Sequence, residues 1–207
     1  MKNKIIKKKF IYLISPNKIK NNRFYKQLED LFKTKKISFF QLRLKRESKK
    51  NILIIGKKIR KICKKYKVKF IINDDPILAK KLDSDGCHLG QKDMKFFKAK
   101  KILKNKTIGT TCHNSLTLVK KAIKNKASYI AIGAFNSSST KKVKFKASMK
   151  LLKEVKRITN IPIVAIGGIN NKNYKNLLLN KANFLAISGY IWKNKKFKPQ
   201  EAIKKIK

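Results

Sequence analysis

The sequence predicts an α/β protein, a single-domain (β/α)8 barrel over residues 1–207. Three observations lead there. Short runs rich in Ile, Val and Phe alternate with longer amphipathic runs, the alternation repeats eight times, and no GxGxxG follows the first apolar run. Strands that alternate with helices imply a parallel sheet, because each return to the same edge needs a crossover. Eight such units close into a barrel with its active site at the C-terminal ends of the strands. An open doubly wound sheet is the runner-up and would also place its site there.

The first strand is read at 10–15, followed by a helix at 23–34 with Phe24, Leu28, Leu31 and Phe32 on one face. Strand two is 38–44 and its helix 48–66, with Ser48 suited to the N-cap. Strand three (68–72) leads through Pro76, which fits a first helical turn, to a helix at 76–82. Strand four (86–89) precedes a helix at 94–103, strand five (107–111) a helix at 115–126, and strand six (129–135) a helix at 147–159. Strand seven (161–166) precedes a helix at 173–180, and strand eight (184–188) a last helix from 200 to the end. The lysine-rich start, MKNKIIKKKFIYLIS, superficially resembles a signal peptide. Its apolar segment is too short and runs into Pro16-Asn17-Lys18 without a small-residue cleavage site, so a strand is expected.

A formal charge of +46 would by itself suggest nucleic acid or an anionic membrane. The lysines are instead spread through every helix and loop. Arginine, the base-reading cation, occurs only at Arg23, Arg43, Arg46, Arg60 and Arg157. Abundant Lys, Ile and Asn resemble a bias toward AT-rich codons. The positive field would still favour a phosphate-bearing substrate, and no specific nucleic-acid or membrane partner is expected. Cys63, Cys87 and Cys112 form no disulfide pattern, which suits a reduced cytoplasmic setting.

Only ten carboxylates occur in the chain, and five of them, Asp74, Asp75, Asp83, Asp85 and Asp93, fall within 69–94. Asp74 and Asp93 sit just past the ends of two successive strands. If those strands are parallel neighbours, both open onto one face, where hard oxygen ligands suit Mg2+ shared with a substrate phosphate. The competing reading is that these aspartates cap turns and helices, which is the better one for Asp75 and Asp83. Strand two ends in Gln41, Arg43 and Lys45 at alternate positions, an amide and two cations aimed at one face. Thr111 and His113 close strand five, whereas His88, inside an apolar strand, reads as packed inward. After strand six, Asn136 to Lys141 offers hydroxyls, backbone amides and a lysine to phosphate oxygens. Gly168 follows strand seven, and Ser188 and Gly189 stand at the end of strand eight, where barrels often bind phosphate.

Together, QLRLK, IINDD, DGCHLGQKD, IGTTCHN, YIAIGAF with STKK, and IPIVAIGGIN resemble the thiamine phosphate synthase and thiazole tautomerase family, in order and over nearly the whole chain. The resemblance implies condensation of hydroxymethylpyrimidine diphosphate with thiazole phosphate to give thiamine phosphate and pyrophosphate. It further implies that the C–O bond breaks first and that the thiazole nitrogen captures the resulting cation. By matching motif, Gln41, Arg43, Lys45 and Asn73 would bind the pyrimidine diphosphate, and Asp74 and Asp93 would hold Mg2+. Thr111 falls at the family's serine position, and Lys141 would contact pyrophosphate. Ser138 and Thr140 would hold the thiazole phosphate or pyrophosphate, with Gly168, Ser188 and Gly189 on the thiazole phosphate. Arg43, Lys45, Thr111 and Lys141 are the catalytic candidates. Two departures stand out: GAFNSSSTK lacks the prolines and first threonine of the family's GPIFPTPTK, and AISGYIW departs from AVVSAI. The tautomerase alternative would use His113 for proton transfer. A basic nucleic-acid-binding protein is the reading from another class. Small phosphorylated substrates are the expected partners, with a homodimer as an option.

Overall fold

The computed structural model describes residues 10–19, 21–137 and 146–206. Eight parallel strands close into a barrel in chain order, with the last paired to the first. They are β1 (Ile11–Ile14), β2 (Ile37–Leu42), β3 (Lys69–Asn73), β4 (Gly86–Leu89), β5 (Thr107–His113), β6 (Tyr129–Gly133), β7 (Ile163–Ile166) and β8 (Phe184–Ile187). The helices between them are α1 (Arg23–Lys33), α2 (Lys49–Lys65), α3 (Pro76–Lys81), α4 (Phe96–Leu103), α5 (Leu116–Lys124), α6 (Met149–Ile158) and α7 (Tyr174–Leu179). After β8 come a one-turn α8 (Gly189–Trp192) and then α9 (Pro199–Lys204). The strand–helix order agrees with the sequence reading. Strand ends differ: β2 stops at Leu42, so Arg43 and Lys45 stand on the loop beyond it, and β5 runs on to His113. The turn α8 was not expected, because four residues are too few to show a helical period.

Two apolar layers follow from side-chain alternation along the strands. Residues such as Leu13, Phe40, Phe70, Ile72 and Ile130 point outward and are buried under the helices. The other parity points into the barrel, where Tyr12, Ile14, Phe39, Ile71, Tyr129, Ala131, Val164 and Ala186 form a separate core. On α1 the buried residues are Phe24, Leu28, Leu31 and Phe32, the face the spacing predicts. Ser48 caps α2 by accepting from the Asn51 N–H at 3.2 Å.

The five clustered aspartates divide by height in the barrel. Asp75 caps α3, accepting from the Ile77 and Leu78 amides at 2.9 and 3.0 Å. Asp83 and Asp85 lie at the opposite, N-terminal end. There Arg60 pairs with Asp85 at 2.9 Å and Lys106 with Asp83 at 2.6 Å, while Asp85 also accepts from the Phe70 N–H at 2.7 Å. This group ties α2 to the starts of β3, β4 and β5. Asp74 and Asp93 remain for the C-terminal rim.

At that same N-terminal end, the turn from helix to strand repeatedly needs a positive φ, the conformation for which glycine is the usual residue. Here lysine occupies it, at Lys35, Lys67, Lys104, Lys126 and Lys181, with φ between 52° and 73°.

Candidate active site

The Asp74 amide donates to the His88 carbonyl at 2.8 Å, fixing the end of β3 against β4. Asp74 itself adopts φ 66°, which turns its carboxylate away from the strand line. Its Oδ2 pairs with Lys45 Nζ at 3.3 Å. Asp93 Oδ2 accepts from the Gly90 N–H at 2.6 Å, so the turn after β4 orients the second carboxylate. Asp93 does not cap α4; Lys95 occupies that position and makes no side-chain cap. Burial, and then the adjoining Asp74 carboxyl, push the Asp93 carboxyl above the usual carboxylate range. Arg43 completes the group: burial lowers its guanidinium's pKa and Asp74 counteracts this, and an arginine so placed stays charged at neutral pH. Thus the structure brings Arg43, Lys45, Asp74 and Asp93 to one side of the rim.

Gln41 points into the barrel and is buried. Its Nε2 donates to the Tyr12 hydroxyl at 3.2 Å, and the Tyr12 and Tyr129 hydroxyls are 2.7 Å apart. Tyr129 Oη meets His88 Nδ1 at 3.0 Å, and His88 Nε2 meets Thr111 Oγ1 at 2.8 Å. A polar chain therefore crosses the barrel from β2 to β5 beneath the rim. Against it lies a cavity of about 20 Å³ lined by Tyr12, Gln41, His88 and Tyr129 together with Ile14 and Ile166 among others. The Gln91 side-chain amide donates to the Thr111 carbonyl, joining the turn that carries Asp93 to β5. Asn73 ends β3 in register with His88.

On the far side of the rim, Gly168 has φ 58°, and an added Cβ there would run into Asn136 and the Ser137 carbonyl. The turn after β7 thus packs against the loop after β6. Ser188 Oγ donates to the Ser15 carbonyl at 3.1 Å, and Ser15 Oγ accepts from the Arg43 N–H at 2.9 Å. Ser15 therefore links the end of β8, where Gly189 begins α8, to the loop carrying Arg43. Ser138, Thr140 and Lys141 lie outside the described residues. Tyr12, Tyr129, Ser15 and Gln91 were not singled out from sequence. For the tyrosines the available signal was a hydroxyl in an aliphatic strand at the same parity as Gln41.

His88 is half-buried, its ring held between Tyr129 and Thr111, and desolvation above all pushes its pKa down to about 4. The unfolded chain takes up its proton near the ordinary 6.5, so the neutral ring's contribution is complete above that pH and is lost as pH falls toward 4. The difference amounts to at most about 3 kcal/mol, because the ring is only half-buried. Denaturant unfolding at pH 7.5 and 4.5 is expected to show a smaller acid loss in His88→Gln than in the wild type; equal losses would contradict this origin.

Among the described residues, no group of three or more His, Cys, Asp or Glu side chains is placed to hold a metal. A carboxylate pair alone suits Mg2+, which takes one or two protein carboxylates and completes its shell with water and phosphate oxygens. No helix among the described residues is long and apolar enough to cross a membrane.

Comparison with known proteins agrees with this architecture. A family model described as thiamine monophosphate synthase matches residues 11–191. The thiamine-phosphate synthase of Pelagibacter ubique is 67% identical over 207 residues, covering all of both chains. That of Clostridium acetobutylicum is 33% identical over 195 residues, covering 93% of this chain and 92% of its own. Among solved structures, thiamine phosphate pyrophosphorylase from Pyrococcus furiosus superposes with a TM-score of 0.83 at 24% identity, covering 97% of this chain and 94% of its own, a likeness of fold. The motifs, the barrel and the full-length relatives converge, and the chain belongs to the thiamine monophosphate synthase family.

Proposed function

We propose that the protein joins hydroxymethylpyrimidine diphosphate to thiazole phosphate, forming thiamine phosphate and releasing pyrophosphate. The observation that carries this reading is the convergence of Arg43, Lys45, Asp74 and Asp93 at one side of the rim, two cations beside a carboxylate pair. A diphosphate needs cations and a metal; a reaction without a diphosphate has no use for the set. In a dissociative path the C–O bond to the diphosphate breaks first, and the thiazole nitrogen then captures the pyrimidine-methyl cation. The barrier is then charge accumulating on departing pyrophosphate, which fixed cations relieve without reorganising.

Asp74 and Asp93 would hold Mg2+, which when bound neutralises the diphosphate and stabilises it as a leaving group. Arg43 and Lys45 bind the diphosphate oxygens and carry the growing negative charge, with Lys141 meeting the pyrophosphate from the loop after β6. Gln41 and Asn73 orient the pyrimidine ring, and Thr111 offers its hydroxyl beside them. Ser138 and Thr140 hold phosphate oxygens from the loop, and the backbones at Gly168, Ser188 and Gly189 receive the thiazole phosphate. The rim thus separates a diphosphate side, at β2 to β4, from a monophosphate side, at β7 and β8.

Purified protein incubated with both substrates is expected to form thiamine phosphate with Mg2+ and none with EDTA, followed by chromatography of the product. Formation at full rate in EDTA, or no formation with Mg2+, would overturn the reading.

A further inference from the structure

The chain Gln41–Tyr12–Tyr129–His88–Thr111, buried at its Gln41 end and half-buried at Thr111, has a direction. Gln41 Nε2 can only donate, so the Tyr12 oxygen accepts there and the Tyr12 proton must go elsewhere. Its partner is Tyr129 at 2.7 Å. Having accepted from Tyr12, Tyr129 donates onward to His88 Nδ1, and the ring proton then resides on Nε2 and goes to Thr111 Oγ1. The Thr111 hydroxyl proton is left over, pointing out of the chain, as is the Gln41 carbonyl oxygen at the other end.

A doubly protonated His88 breaks this order. Both ring nitrogens would donate, Tyr129 would have to donate to Tyr12, and Tyr12, already accepting from Gln41, would hold a buried proton without an acceptor. A buried hydroxyl in that state is costly, and both tyrosines are almost wholly inaccessible.

We infer that Tyr12, Tyr129 and His88 are positioning residues which fix the hydrogen-bond polarity of the barrel mouth, so that Gln41 presents an acceptor and Thr111 a donor to the bound ligand. A ligand group that meets Gln41 must then donate, as a ring amino group does, and one that meets Thr111 must accept, as a ring nitrogen or phosphate oxygen does. This rests on the proposed function for the identity of the ligand, but the polarity itself belongs to the protein without ligand. With the Gln41 amide turned over, so that its oxygen faces Tyr12, the reversed chain also satisfies every member: Gln41 would accept, Nδ1 would carry the proton, and Thr111 would donate inward, leaving no proton for a ligand. The two arrangements differ in one observable, the tautomer of His88.

The deciding measurement is long-range ¹H–¹⁵N correlation on ¹⁵N-histidine-labelled protein at pH 7.5, with the His113→Gln variant assigning the two rings. The expected result is an unprotonated Nδ1 and a protonated Nε2 on His88. A protonated Nδ1, alone or with Nε2, overturns the inference whether or not the protein makes thiamine phosphate. In Tyr129→Phe, which removes only the central hydroxyl, His88 is expected to lose its fixed tautomer and show exchange between the two. Where the wild type is active, kcat/KM is expected to fall about tenfold to a hundredfold, with KM for the pyrimidine substrate rising. An unchanged tautomer signal in folded Tyr129→Phe would equally refute the chain as the element that sets the polarity.

Discussion

Asp93→Asn is expected to lower thiamine phosphate formation by on the order of 10²- to 10³-fold while leaving the metal-free protein as stable as the wild type or more so. The two halves have one cause. Asp93 lies beside Asp74 with its carboxyl pushed above the usual range by burial and by that neighbour. A carboxyl raised in the fold contributes its full stability below its ordinary pKa, and that contribution is lost as pH rises through the raised value. At neutral pH without metal, the ionised pair therefore opposes folding. Asparagine keeps an oxygen for the Gly90 amide and removes the repulsion. Because the group is only half-buried, the gain is at most about 1 kcal/mol, or about 2–4 °C. The activity loss follows from removing half of the carboxylate pair at the point where charge builds on the leaving group, an effect of the size seen when one transition-state stabiliser is deleted. Asp74→Asn is expected to lose activity to a similar degree without the stability gain, because Asp74 is paired with Lys45. Product assays and thermal unfolding in EDTA decide it; an Asp93→Asn protein of undiminished activity would remove Asp93 from the metal site.

Gly109→Ala is expected to be strongly destabilising. Gly109 pairs with His88 on one side and Tyr129 on the other, and a Cβ there would overlap the Tyr129 ring itself. Tyr129 cannot swing aside, since its ring stacks on His88 and packs against Tyr12 and Phe39. Overpacking of this kind costs about 3 kcal/mol, a fall of roughly 6–12 °C in unfolding midpoint for a chain of this size. Thermal unfolding checks it directly, and a midpoint within a degree of wild type would mean that the interior yields more readily than its packing indicates.

The order of elements was legible because each strand is a short β-branched run and each helix shows an apolar face, as α1 does with Phe24, Leu28, Leu31 and Phe32. The pairing of Asp74 with Asp93 was legible for a similar reason: parallel neighbours place residues just past their ends on one rim. Sequence set Asp74 and Asp93 apart by their place past two strand ends and favoured caps for Asp75 and Asp83; Asp75 does cap α3, whereas Asp83 meets Lys106 and Arg60. Whether a carboxylate meets Arg60, a helix amide or another carboxylate depends on the height at which each strand ends. The interior chain was least legible. Tyr12 and Tyr129 are 117 positions apart, each looks like an ordinary core aromatic, and only closure of the barrel places their hydroxyls together. His88 was recognisable as inward-facing, but not as the link between Tyr129 and Thr111.

The lysines at the left-handed turns bear on how far such a chain can drift. Each holds a conformation that a side chain disfavours by roughly 1 kcal/mol relative to glycine, and five together represent a strain comparable with the whole stability margin of many domains. The barrel closes regardless, since every turn is anchored by a strand on one side and a packed helix on the other. An enzyme built this way can absorb a sustained compositional bias at its N-terminal end while the opposite rim keeps its chemistry, a division of labour between the tolerant and the constrained face of one fold.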